Sequence, residues 1–220
     1  TSSHCDECEI GTYLLEGNKK YCDKCPEMTY TNETASSYCK PCDSSCTSCN
    51  RKTGECTSCK EGWFISGMTC SECPSGSYAE GTTSTECIKC PKGEYQSLNG
   101  QSKCLECPKL QYQDSEGSIS CKQCSSLCKT GCNPIDGHCN DCKYGYELNK
   151  ETGECDECKL GYYSDYSTNN TCLKCPKGTY CNSKKCTRCE KCYGNKYSSI
   201  EGSIQCSDCD NSCKTCDNKS

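Results

Sequence analysis

Valine is absent from this chain of 220 residues, phenylalanine and tryptophan occur once each, and Leu, Ile, Val and Phe together number 17. So little aliphatic surface excludes a conventional core, because burial could not offset backbone ordering at about 1–2 kcal/mol per residue. There is no run of about 18 apolar residues, so no segment is expected to span a membrane. The net charge is −5 and no basic stripe exists, which argues against nucleic acid as a partner. Helical apolar periodicity is missing throughout. The two histidines, His4 and His138, have no Ser or reactive Cys arrangement around them, and carboxylates are scattered through turns, so no enzyme is expected. The amino-terminal TSSHCDEC lacks a signal-peptide apolar region. Since secretion requires one, the expectation is that it was removed or that the sequence starts inside a longer protein.

What the chain has instead is 34 cysteines. That density belongs to an oxidising compartment, and an extracellular or cell-surface location is expected. Asn-x-Ser/Thr triplets at Asn32, Asn169 and Asn218 agree with secretion and are candidate glycosylation sites. The cysteines are periodic. A cysteine is followed five residues later by tyrosine and fourteen residues later by another cysteine, with Tyr13, Tyr30, Tyr78, Tyr95, Tyr112, Tyr163, Tyr180 and Tyr197 marking the series. Such a register marks a repeat protein whose units are too small to stand alone.

Repeat starts are 17 residues apart, as at Cys5, Cys22 and Cys39. Two denser units interrupt them, from Cys42 to Cys70 and from Cys124 to Cys155, and a third begins at Cys209. The expected organisation is therefore 17-residue modules over 1–41, a dense unit over 42–72, three modules over 73–123, a dense unit over 124–157, three modules over 158–208, and the start of a dense unit over 209–220. A longer period of 82 residues from Cys39 to Cys121 and 85 from Cys121 to Cys206 makes the chain read as a window on a longer array. Glycines two residues before the tyrosine, and prolines after the second Cys of a CxxC pair, predict turns on schedule, with the tyrosine on one short strand and a second arm returning to the closing cysteine.

Segments such as CPSGSYAEGTTSTEC (73–87), CPKGEYQSLNGQSKC (90–104) and CPKGTY (175–180) resemble the ephrin-receptor-like repeat and the first-half module of tumour necrosis factor receptor domains. CDSSCTSCNRKTGECTSCKEGWFISGMTC (42–70) resembles a furin-like repeat of growth-factor receptor ectodomains. The combination is similar to cysteine-rich CxxC surface proteins of eukaryotic microbes. The resemblance implies small disulfide-rich repeats in an elongated, rod-like array with short β-strands, little helix and no common hydrophobic core. For the short modules it implies the bridges Cys8–Cys22, Cys25–Cys39, Cys73–Cys87, Cys90–Cys104, Cys107–Cys121, Cys158–Cys172, Cys175–Cys189 and Cys192–Cys206. In the furin-like units it implies Cys42–Cys49, Cys46–Cys56 and Cys59–Cys70, then Cys124–Cys132, Cys128–Cys139 and Cys142–Cys155, with Cys209–Cys216 opening the third. The inserted Cys181 and Cys186 most simply pair with each other. Cys5 and Cys213 are left over, with partners expected outside the window.

Two rival chemistries share the CxxC spelling. A four-cysteine zinc ribbon would make neighbouring linkers alternate in character, whereas every linker here carries the same tyrosine register. A thioredoxin-type site needs a low-pKa thiol beside a βαβ pattern, which is missing. No cofactor is expected. Trp63 with Phe64, and Tyr144 with Tyr146, could form a contact surface or cover a disulfide. Lys177, Lys184, Lys185, Arg188, Lys191 and Lys196 form a basic patch containing only Glu190 as opposing charge, which could hold an anionic glycan or be a solvated loop. The expected function is a non-enzymatic structural rod, coat or filament element meeting neighbouring copies, other surface proteins or glycans. A receptor or adhesin ectodomain and a zinc-binding coat protein are the alternatives.

If the bridges replace a core, full reduction unfolds the whole chain at once. Hydrogen exchange measures this, and protection that survives complete reduction would contradict it.

Overall fold

The structure, a computed structural model, describes residues 7–15 and 21–210. His4, Cys5, Cys213, Cys216 and Asn218 lie outside the described residues. The described residues form two compact units, one up to residue 107 together with 115–121, the other from 108–114 and from 122 onward. Secondary structure among the described residues consists of short paired strands without helix, and the strands occur only as two-stranded antiparallel hairpins.

The hairpins explain the CxxC spacing. Thr12–Tyr13 pairs with Asp23–Lys24, Thr29–Tyr30 with Lys40–Pro41, and Ser77–Tyr78 with Ile88–Lys89. The same register recurs through Glu94–Tyr95, Gln111–Tyr112, Tyr162–Tyr163, Thr179–Tyr180 and Lys196–Tyr197. In every case the tyrosine faces the first residue between the two cysteines of a CxxC, and the residue before it faces the second. The returning arm therefore lies just beyond the closing cysteine. The dipeptide is a strand held at each end by a different disulfide, a role that needs two residues and no thiolate.

A tight turn leads into each tyrosine strand except Lys196–Tyr197. The amide of Ser77 donates to the Pro74 carbonyl, and that of Glu94 to Pro91, with the third residue of the turn at positive φ. Glycine usually fills that place, as at Gly76 (φ 80°) and Gly161 (φ 79°). Met28 (φ 59°) and Leu110 (φ 66°) accept the same left-handed geometry. Each sits in the module that precedes a cysteine-dense unit. Met28 packs on that unit's buried cysteines, and Leu110 Cδ2 would lie 3.6 Å from a methyl added at Gly131.

Modules join through the residue after the tyrosine. Thr31, Ala79, Gln96, Gln113, Ser164, Cys181 and Ser198 are all buried, although their side chains share no chemistry. Their carbonyls accept from the preceding module: Gly11 donates to Thr31, Gly76 to Gln96, Gly161 to Cys181 and Gly178 to Ser198, at 2.7–2.9 Å. Their amides donate onward: Thr31 to Arg51, Gln96 to Ser118, Gln113 to Pro134 and Cys181 to Ser203, at 2.8–3.0 Å. Side chains matter little in this ladder because the main chain makes it, each bond contributing about 1 kcal/mol.

Contact only between sequence neighbours is what the repeat pattern suggests, and here the structure corrects it. A Cβ at Gly76 would fall 2.2 Å from the Gly117 carbonyl oxygen, and one at Gly161 would fall 2.1 Å from that of Gly202. Each partner lies two modules further on, so these two turns press backbone to backbone against their second neighbour. Among the described residues no shared core accompanies this. Each dense unit has only a small nucleus of its own: Cys46, Cys56, Cys59 and Cys70 under Trp63 and Ile65 in the first, and Cys128, Cys132 and Cys139 under Tyr112 and Leu148 in the second.

Gly76→Ala combines an unfavourable φ with that clash and should destabilise its unit by about 2 kcal/mol or more. Hydrogen exchange should then show protection lost at residues 107–121 as well as at 73–87. A change confined to 73–104 would mean that coupling stops at the nearest neighbour.

Candidate functional site

Each of the bridges Cys8–Cys22, Cys25–Cys39, Cys73–Cys87, Cys90–Cys104, Cys107–Cys121, Cys158–Cys172, Cys175–Cys189 and Cys192–Cys206 is formed, with the closing cysteine fourteen residues after the first. The dense units contain Cys42–Cys49, Cys46–Cys56 and Cys59–Cys70, then Cys124–Cys132, Cys128–Cys139 and Cys142–Cys155. Cys209 is disulfide-bonded, while the Cys216 expected opposite it is outside the described residues. The Sγ atoms of Cys46, Cys56 and Cys70 come within 4.8 Å of one another, the kind of cluster that could hold a metal ion. All three are in disulfides and offer no thiolate, so zinc has no ligand there.

Cys181–Cys186 is also joined. Its position has a structural logic invisible in the cysteine count. Cys181 follows Tyr180, and Cys186 lies five residues on. In another module that pair of positions is occupied by Thr31 and Ser36, whose hydroxyls are 2.7 Å apart, and in a third by Ser198 and Ser203, whose hydroxyls also bond. The extra bridge is a covalent version of a hydrogen bond that the repeat already uses.

The basic patch is less basic than its sequence suggests. Lys185 pairs with Glu157 at 2.9 Å and Lys184 approaches the same carboxylate at 3.9 Å, while Lys196 meets Asp208 at 2.9 Å. Glu190 is therefore not the only opposing charge, because folding brings in two carboxylates from strands beside the patch. The Lys185 hydrogen bond holds the Glu157 carboxyl below its usual range, and the same contact raises Lys185. Glu190 accepts from the Tyr180 hydroxyl at 2.9 Å, which raises the phenol. Lys177, Arg188 and Lys191 form no ion pair among the described residues. A shallow groove beside them is lined by Tyr180, Lys191, Tyr193 and Lys196.

The paired aromatics separate. Trp63 is half-buried over the first cysteine nucleus, a packing role. Tyr146 is half-buried too, with Lys185 Nζ 5.6 Å from its ring centroid. Tyr144 stays exposed and, with Tyr166, lines an open cleft beside Asp141, Asp165 and the amides of Asn169 and Asn170. Asp165 accepts from the amide and hydroxyl of Ser167, which lower its pKa and keep it ionised. Asn32 and Asn169 are exposed. Tyr166 had no motif to announce it. Its only signal was a tyrosine outside the repeat register.

Residues 76–124 match the family described as tyrosine-protein kinase ephrin type A/B receptor-like. That segment is a cysteine-rich, ephrin-receptor-like module, and the same spacing of cysteine and tyrosine recurs on both sides of it. No curated protein matches it. The matched module is of an extracellular, receptor-like type and is not a catalytic domain. No helix among the described residues is long and apolar enough to cross a membrane.

Replacing the bridge by its polar equivalent, Cys181→Thr with Cys186→Ser, should cost only about 1 kcal/mol, because losing a short loop closure is partly offset by the hydroxyl pair. Thermal unfolding compared with Cys175→Ser/Cys189→Ser measures it. Equal losses would mean that the inner bridge is as necessary as the outer one.

Proposed function

We propose that this chain is a non-enzymatic extracellular repeat with a structural role at a cell surface, as a rod, coat or filament element. One observation carries the reading: the residue after the tyrosine is buried in module after module and gives its backbone to the modules on both sides. Main-chain groups committed in this way set a spacing and resist bending, which is the task of a scaffold. The same commitment leaves few polar groups for catalysis, and the shifted carboxylates, Asp43, Glu157 and Asp165, each answer to a neighbouring hydroxyl or lysine. Neighbouring copies and other surface proteins are the partners this role implies, with glycans attached at Asn32 and Asn169.

A receptor or adhesin ectodomain is the second reading. It is favoured by clefts lined with tyrosines that folding leaves in solvent, Tyr166 at 84 % and Tyr193 at 77 % exposure.

The oxidised chain decides between them. A structural element should associate in a concentration-dependent way, as read by sedimentation and electron microscopy, with or without a bound glycan. A monomer at every concentration that is captured by a glycan surface would overturn the structural role in favour of the ectodomain.

A further inference from the structure

The cleft of the second dense unit has features that folding does not explain. It is open and small, about 170 Å³, below the range of about 300–1,000 Å³ usual for drug-sized ligands and suited to no more than a single ring. Tyr144 is 44 % exposed and Tyr166 is 84 % exposed. The Tyr144 ring is fixed by Lys129, whose Nζ lies 4.4 Å from the centroid and donates to the phenol oxygen at 3.2 Å.

Polar groups around these rings are held by their own loops. Asp141 Oδ1 accepts from the amide and hydroxyl of Thr130 at 2.8 and 2.6 Å. Asp165 Oδ1 does the same for Ser167 at 2.8 and 2.6 Å. Asn170 Oδ1 accepts from the Cys142 amide at 3.1 Å, which orients its NH2 as a donor. Two carboxylates and an amide are thus pre-positioned beside two aromatic rings.

The chain supplies its own control. Counted from equivalent cysteines, the first dense unit and the module after it have Thr47 for Lys129, Glu61 for Tyr144 and Gly81 for Tyr166. A Cβ at Gly81 would meet nothing within 4 Å, so the frame closes without an aromatic there. Both clusters fold on the same cysteine plan, and only the second carries the rings.

We propose that this cleft binds a neutral pyranose, its C–H face stacked on Tyr166 and its hydroxyls bonded by Asp141, Asp165 and Asn170. Flat apolar faces combined with oriented acceptors and donors match the two-sided chemistry of a sugar ring. One lysine against two carboxylates leaves the cleft slightly negative, which disfavours an anionic sugar. The inference rests on the ectodomain reading and names its site, away from the lysine patch. Asn169 lines the same cleft within the sequon Asn169-Asn170-Thr171, so the sugar comes either from this chain's own Asn169 or from another molecule.

The test uses the oxidised chain made without N-glycosylation, probed with N-acetylglucosamine disaccharide, galactose disaccharide and mannose oligosaccharide by saturation-transfer NMR. The expected result is transfer from tyrosine ring protons to one of these sugars. Tyr166→Ala should weaken that binding roughly tenfold, a usual loss for an anchoring aromatic, while Tyr193→Ala leaves it unchanged. In glycosylated chain, contacts between the Tyr166 ring and the Asn169-linked sugar, with free-sugar binding restored by Asn169→Gln, would identify the attached glycan as the occupant. Sugar binding that survives Tyr166→Ala but is lost in Lys191→Ala would overturn the cleft and keep the ectodomain reading. Absence of both free-sugar binding and ring contact with an attached glycan would overturn the proposal.

Discussion

A disulfide spanning fourteen residues holds each repeat tyrosine opposite the dipeptide that follows its closing cysteine. The rest of the structure depends on that closure. The paired strands are only two residues long and would not persist alone, since an isolated hairpin is marginal even at greater length. Once closed, the loop points the next residue's amide and carbonyl in opposite directions, toward the modules on either side. Local covalent closure thereby produces the long-range ladder.

This arrangement changes how stability is distributed. With contacts reaching only adjacent modules, each bridge would guard its own loop. The approach of Gly76 to Gly117 and of Gly161 to Gly202 spreads a local defect over three modules. The bridges themselves are buried unequally, the opening cysteines Cys73, Cys90, Cys158 and Cys175 being sealed and their partners more accessible. Function is then left to what the frame does not use: loop tips, the dipeptide side chains and the surface of the dense units.

Much of this was legible in the sequence. The seventeen-residue period, the dense units and the turn glycines are properties of residue identity and spacing, because only cysteine bridges and only glycine tolerates those approaches readily. The resemblance of 42–70 to furin-like repeats implied the interlaced bridges, which spacing alone left open. Even Cys181–Cys186 was expected as the simplest pairing of two cysteines inserted in one loop, although its reason, the replacement of a hydroxyl pair, was not. Less legible was the buried residue after the tyrosine. Thr31, Ala79, Gln96 and Ser164 share no side-chain property, because what is selected there is backbone geometry, and sequence patterns report side chains.

The candidate sites divide along the same line. Sequence by itself determined the period of the scaffold and its dependence on cysteine, since poverty in aliphatic residues leaves no hydrophobic core to hold it. Tertiary structure alone decided where charge and aromatic surface end up. It brought Glu157 to Lys185 and Asp208 to Lys196, muting a patch that looked basic in one dimension. It also placed Tyr144 and Tyr166, 22 residues apart in the chain, on one cleft. The physical reason is that the modules' ladder folds successive loops side by side, so a surface is assembled from residues of two modules.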